Sequence, residues 1–296
     1  MPLVQKRFTQ RRVQVFFGIL LSGILYAEFE FNADYEPILR QGTPVVFASE
    51  RIPADPFERL VRKDPLEALS DALRQLDRDS RDYVCTFVKQ ERLGDKMSPE
   101  QEVEVKFRPK PFSVMMHWIR NPGMARRVIY VKGKWVDHKA TDPKMRELSV
   151  CQPKGVASLL VGKSVKQPIN GFFAKRSSRR SIDEFGFKRA LDLLVEFSRI
   201  AKSRNELKLE YKGVTRFGGR PVWLIRRILP YTEANRYPDR TTDILIDQEY
   251  HVPVAIYCYS DDAREPRNLL GKYEYRNVRF DTGLTDKDFD PATYGM

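Results

Sequence analysis

The chain reads as a mainly β protein of the α+β kind, built on one antiparallel sheet of roughly eleven strands. Two observations carry that reading. Short runs of alternating apolar and polar residues recur at hairpin spacing, with Gly, Pro and Asn between them. Only two stretches hold a helical period long enough to count, and one of them splits the strand series after the sixth run. The 296 residues, 42% apolar, suffice for a packed core and argue against a disordered chain.

The N-terminus stands apart. Lys6, Arg7, Arg11 and Arg12 occur without an acid, and Val13 to Ala27 is a mostly apolar run of 15 residues. A basic start before a short apolar run is the pattern of an export signal. It is short for a membrane span, which needs about 20 apolar residues. Residues 1–27 are therefore expected to be a signal peptide or an uncleaved N-terminal membrane anchor, which places the chain in the periplasm or cell envelope. No lipobox cysteine stands after the run, so lipid attachment there is not expected. Residues 28–63 carry Pro37, Pro44, Pro53 and Pro56 and hold no period, so they are expected to form a Pro-rich linker. Residues 64–296 form the main domain.

That domain opens with Asp64-Pro65-Leu66-Glu67, an N-cap acid, a first-turn Pro and an acid three residues on. Leu66, Leu69, Leu73 and Leu76 then share one helical face. Strands follow. Tyr83, Cys85 and Phe87 alternate, and Val103, Val105 and Phe107 point away from Glu102, Glu104, Lys106 and Arg108. Phe112, Val114, Met116 and Trp118 share a face after the Pro109–Pro111 turn. Residues 126–131, 135–138 and 145–151 complete the first six runs. Short apolar runs at 156–161 and 169–173 come next. Ser181-Ile182-Asp183-Glu184 is a capping box expected to open the longest helix, to about Lys202. Its broad apolar side includes Leu191, Leu194 and Phe197. Leu207, Leu209 and Tyr211 resume the sheet. Val222 to Leu229, Trp223 among them, is apolar on both parities and is expected to be covered on both faces. In the last stretch, Asp243 to Phe289, the change of parity between Tyr275 and Val278 predicts a bulge near Arg276–Asn277.

A resemblance rests on particular residues. The strand Ile244-Leu245-Ile246-Asp247, the return Val252-Pro253-Val254, the run Tyr273-Glu274-Tyr275-Arg276-Asn277-Val278 and the close Gly283-Leu284-Thr285-Asp286 to Phe289 resemble the periplasmic lipoprotein-carrier superfamily, LolA-like and RseB-like proteins. Tyr83 to Arg92, YVCTFVKQER, and Val105 to Val114, VKFRPKPFSV, resemble more closely the bacterial family named domain of unknown function 1571. The resemblance implies a strongly curved sheet, an incomplete barrel, with helices packed on the concave face and an acyl-binding cavity between them. On that reading the candidate hydrophobic lining is Phe87, Val105, Phe107, Val114, Met116, Trp118, Leu191, Leu194, Phe197, Leu209, Tyr211 and Trp223. Each of these also suits an ordinary core.

Charge and chemistry narrow the rest. The net charge is +12, of which residues 1–12 supply +4. Such a surface attracts anions without choosing among them. Lys175, Arg176, Arg179 and Arg180 form the one local cluster, a candidate anion-docking patch or a solvated loop. His117, His138 and His251 have no metal-ligand spacing, so no metal or other cofactor is expected. Gly162-Lys163-Ser164 lacks the glycine a phosphate-binding loop needs five residues earlier, since position 157 is Ala. Asp243 and Asp247 share a strand face and are the only paired carboxylates that invite an acid–base reading. Cys85, Cys151 and Cys258 fit buried thiols, or one disulfide in an exported chain. The expected function is non-enzymatic: an envelope protein that binds a lipid, a lipoprotein acyl chain or another hydrophobic ligand. The alternative is a structural or sensory interaction module with a filled core, contacting anionic polymers or a membrane-protein partner. Nucleic acid is not an expected partner.

Overall fold

A computed structural model describes residues 55–155, 158 and 162–296. The expected signal or anchor segment, the linker as far as residue 54 and most of the apolar run at 156–161 lie outside the described residues.

Two Asp-Pro pairs start the first two helices. Asp55 Oδ1 accepts from the Phe57 amide at 2.8 Å and opens α1, Pro56–Lys63. Asp64 Oδ1 accepts from the Glu67 amide at 3.0 Å and opens α2, Pro65–Asp79. Each cap satisfies an amide that the helix leaves without a partner, and Pro at the first position loses no bond. The stretch expected as linker thus ends in a helix, with Phe57 and Val61 buried. Four proline positions masked its short apolar period.

The sheet follows: β1 Tyr83–Leu93, β2 Lys96–Met97, β3 Gln101–Pro109, β4 Phe112–Arg120, β5 Ala125–Val131, β6 Leu148–Pro153 and β7 Val165–Pro168. The run at 135–138 contributes only an isolated bridge, Val136 to Glu147. After a short helix α3, Phe172–Ser177, and the long helix α4, Phe187–Ser203, come β8 Lys208–Phe217, β9 Arg220–Ile228, β10 Thr241–Asp247, β11 Pro253–Tyr259 and β12 Leu269–Phe280. The order is β7-β6-β5-β4-β3-β1-β12-β11-β10-β9-β8, with β2 paired to β1, and every ladder among the described residues is antiparallel. The sheet does not close. Its two halves join where β1 pairs β12, so first and last strands sit at its centre.

Curvature has visible sources. On the β1–β12 ladder, Val84 pairs Arg279 and Thr86 pairs Arg276, which leaves one extra residue on β12. Asn277, at φ +53°, absorbs it, where the change of parity predicts a bulge. Further register shifts occur in β3–β4, β5–β6, β8–β9, β10–β11 and β11–β12. The edge strand β8 carries exposed Lys208, Lys212 and Arg216, which discourages pairing with another chain.

Register divides the sheet into faces. Phe87, Val103, Tyr275, Ile244 and Ile225 lie on the helix-covered, concave side. Glu102, Glu104 and Lys106 lie on the other. In β9 and β10 both parities are buried: Trp223 and Ile225 face the helices, and Val222 and Leu224 are covered as well. The capping box at Ser181–Glu184 closes only a single 3₁₀ turn. The long helix begins five residues later than expected, at Phe187, because Gly186 adopts φ +113° and breaks the run.

Candidate functional site

The helix-covered face, where the resemblance leads one to expect a guest, is occupied by the chain's own rings. Phe185 and Phe187 flank Gly186 and enter the sheet side by side. Phe187 packs on Tyr275 at 4.4 Å and Tyr83 at 4.8 Å between ring centroids. Phe185 meets Phe87 edge-on at 5.2 Å and Phe107 at 6.2 Å. Tyr83 stacks on Phe107 at 4.8 Å. Only glycine fits between the two plug residues. A Cβ on Gly186 would lie 3.1 Å from Tyr83 Oη and 3.2 Å from Phe107 Cε2. Burial pushes the Tyr83 phenol well above its ordinary range and the Tyr275 phenol and Cys85 thiol upward too, so this wall stays neutral.

The structure distributes the twelve lining candidates over three places. Phe87, Val105, Phe107 and Val114 are buried in the aromatic cluster, with Met116 and Trp118 packed partly buried against it. Leu191, Leu194 and Trp223 are buried between helices and sheet, with Leu209 and Tyr211 at their margin. Phe197 packs beside Ala201, Leu229 and Tyr237 at the far end of α4. Two clefts, of about 330 and 860 Å³, open elsewhere. Of the twelve, only Trp118 lines either of them. The indole N–H of Trp223, 1% exposed, has no acceptor among the described residues.

The basic cluster sits on an anchored loop, and the anchor is a residue that periodicity does not single out. Glu91 is 2% exposed. It accepts from Lys89 Nζ at 3.0 Å, Tyr273 Oη at 2.9 Å, Ser178 Oγ at 3.1 Å and the Arg179 amide at 3.4 Å. Burial opposes its ionisation, but Lys89 and the hydrogen bonds outweigh burial, and its carboxyl titrates below the ordinary value. Lys89 Nζ also reaches the Ser177 carbonyl. Lys175, Arg176, Arg179 and Arg180 are all exposed. Arg179 donates to the Leu270 carbonyl and Arg180 lies 3.8 Å from Glu184.

Asp243 and Asp247 are not brought to a common cleft with a histidine. Arg226 and Arg264 hold Asp243. Arg220 holds Asp247, which also accepts from the Glu249 and Tyr250 amides. Burial works against the Asp247 charge, yet Arg220 and those amides keep its carboxyl below the ordinary range. His251 stacks on Phe57 at 3.9 Å, His117 contacts Glu104, and His138 is exposed. The three cysteines are free. Burial pushes the Cys258 thiol up to about 12. Among the described residues no group of three or more His, Cys, Asp or Glu is placed to hold a metal ion, and no helix is long and apolar enough to cross a membrane.

The family model described as protein of unknown function DUF1571 matches residues 80–294. The chain belongs to the DUF1571 family. The DUF1571 span takes in every strand, the aromatic plug, Glu91 and the basic loop, and leaves α1 and α2 outside it. No curated protein matches. Among solved structures, a DUF1329 family protein from Desulfovibrio piger is similar over 78% of this chain and 99% of its own, at 12% identity and a TM-score of 0.37. The lipoprotein LppX of Mycobacterium tuberculosis is similar over 77% and 100%, at 10% identity and 0.36. The MucA/MucB complex of Pseudomonas aeruginosa is similar over 76% of this chain and 60% of that one, at 14% identity and 0.39. No residue role is carried over from them.

Proposed function

We propose that this DUF1571 protein is a non-enzymatic interaction module of the cell envelope, with a half-barrel filled by its own side chains. The observation that carries the reading is the Phe185-Gly186-Phe187 plug, seated on Tyr83, Phe87, Phe107 and Tyr275 where a hydrophobic guest would lie. An apolar concavity exposed to water must be filled, and here side chains fill it. The basic start and apolar run of residues 1–27 support the envelope location. With the concave face closed, contact falls to the outer surface, where the anchored basic loop presents four exposed cations within six residues.

A second reading has one specific observation behind it. The buried Trp223 indole N–H lacks an acceptor, and a guest's carbonyl would supply one. On this reading the plug swings out on Gly186 and an acyl chain of a lipid or lipidated protein replaces it. A fluorescent fatty acid titrated into the wild-type chain separates the two. The filled module shows no saturable uptake, whereas Phe185→Ala/Phe187→Ala opens a site and binds. Saturable one-to-one uptake by the wild type overturns the filled reading in favour of the carrier.

A further inference from the structure

We propose that the face presented by α3 docks on an anionic lipid bilayer, with Phe172 and Phe173 entering the headgroup boundary and Lys175 and Arg176 meeting lipid phosphates. This rests on the reading of the domain as an interaction module and names the surface it contacts.

The first observation is exposure of the wrong kind for water. Phe172 is 64% exposed and Phe173 45%, though both are large apolar residues. The two rings pack edge-on at 5.6 Å, so they form one apolar knob and not two scattered side chains. The second is charge. Residues 172–180 contain Lys175, Arg176, Arg179 and Arg180 and no acid. Arg180 is drawn to Glu184 and Arg179 to the Leu270 carbonyl, which leaves Lys175 and Arg176 without an acidic partner within 4 Å among the described residues. The Arg176 guanidinium lies 5.2 Å from the Phe172 ring centroid, so cation and ring leave the surface together.

The third observation is that the knob is held and not trailing. Ser181 Oγ donates to the Ile169 carbonyl and closes the base of the segment. Glu91 grips Ser178 and Arg179 from inside the sheet, and Lys89 grips Ser177. A rigid mount removes the ordering cost that a free loop meets on binding. A soluble polyanion would use the cations but gives the phenylalanines no gain. A bilayer uses both, since rings favour the headgroup boundary and basic side chains favour phosphates at its surface.

The test reads contact at the knob itself, because the apolar run at 13–27 could tether the full chain to any vesicle. Phe173→Trp is introduced in the full chain, with the parent as the background for its own three tryptophans. Vesicles contain brominated phosphatidylcholine, with or without phosphatidylglycerol. The proposal expects quenching of the new tryptophan in the anionic vesicles, lost at high salt. Lys175→Gln/Arg176→Gln should weaken engagement of the knob, read from quenching of the tryptophan at position 173 as phosphatidylglycerol content is titrated, about 25-fold, from roughly fivefold per cation at an anionic surface. Phe172→Ser should weaken it on the order of tenfold. These side chains are exposed, and an unchanged circular dichroism spectrum confirms that the variants fold. Vesicle sedimentation without quenching at position 173 overturns the proposal, as does equal quenching in purely zwitterionic vesicles. Binding to polyphosphate without quenching by anionic vesicles assigns the patch to a polymer and also overturns it. None of these outcomes alters fatty-acid uptake, which reads the filled half-barrel separately.

Discussion

Replacing Phe187 by Ala removes the larger contact of the plug, and the cost can be worked from its surroundings. The side chain is 2% exposed and packs on Tyr83, Tyr275 and Phe280 at centroid distances of 4.8, 4.4 and 5.9 Å. The lost transfer of a buried phenyl ring amounts to about 2 kcal/mol. A void of roughly 100 Å³ left in a rigid cluster adds about 2.4 kcal/mol at ~24 cal/mol per Å³. Ring-pair geometry pushes the sum upward and relaxation of α4 pushes it downward, so about 4 kcal/mol is expected. Urea unfolding, followed by circular dichroism with the slope checked for constancy, measures it. Phe197→Ala is the internal control. That ring is only partly buried, in the small cluster at the other end of α4, and about half the effect is expected. A loss below about 1.5 kcal/mol for Phe187→Ala at unchanged slope would refute the reasoning, because a ring so placed can cost so little only if the concave face is not tightly filled.

Gly186→Ala should destabilise by about 2–3 kcal/mol, since φ +113° and the approach to Tyr83 and Phe107 both oppose a Cβ; thermal unfolding reads this. Asp239→Ala should cost about 3–5 kcal/mol, because it strands Arg227, itself 3% exposed, beneath α4. Arg227→Met/Asp239→Leu should recover most of that loss, and a double as unstable as the single would contradict the ion-pair account. Glu91 and Asp247 give the pH dependence. Both have folded pKa values below their unfolded ones, so their stabilisation is complete above the unfolded values and disappears as pH falls through the folded ones. Urea midpoints should therefore fall progressively as pH drops below about 5. Glu91→Gln should lower the midpoint at neutral pH and flatten that decline.

How much of this was legible in the sequence differs by element, for physical reasons. Strands with one wet face declared themselves: Val103, Val105 and Phe107 are buried, and Glu104 between them is exposed. The bulge at Asn277 showed as a break in parity, since one inserted residue flips every side chain after it. The helix at Pro56–Lys63 does not stand out in the sequence although Asp55-Pro56 repeats the cap at Asp64-Pro65, because eight residues are too few for a helical period to show among prolines. The capping box at Ser181 predicts the start of the long helix. Its chemistry is real, but a cap fixes only its own turn, and Gly186 ends that turn before the helix begins.

At the candidate site the sequence named the residue types of the concave face but not their state. Alternation tells which side a ring faces, not whether Phe185 and Phe187 close over it. Glu91 was invisible for a related reason. A lone acid near the end of a strand looks like a solvated charge until Lys89, Tyr273, Ser178 and Arg179 are seen to converge on it from three parts of the chain. Phe172 and Phe173 end a short apolar run in the sequence, and only their exposure separates them from core.

The central claim is that the half-barrel is filled by the protein itself. Native mass spectrometry of the full-length wild-type protein, extracted gently from its own membranes, tests it most directly. The account predicts a species at the mass of the polypeptide alone, with no additional mass released on collisional activation. One lipid or acyl-bearing molecule retained per chain, and displaced by a competing fatty acid, would contradict it.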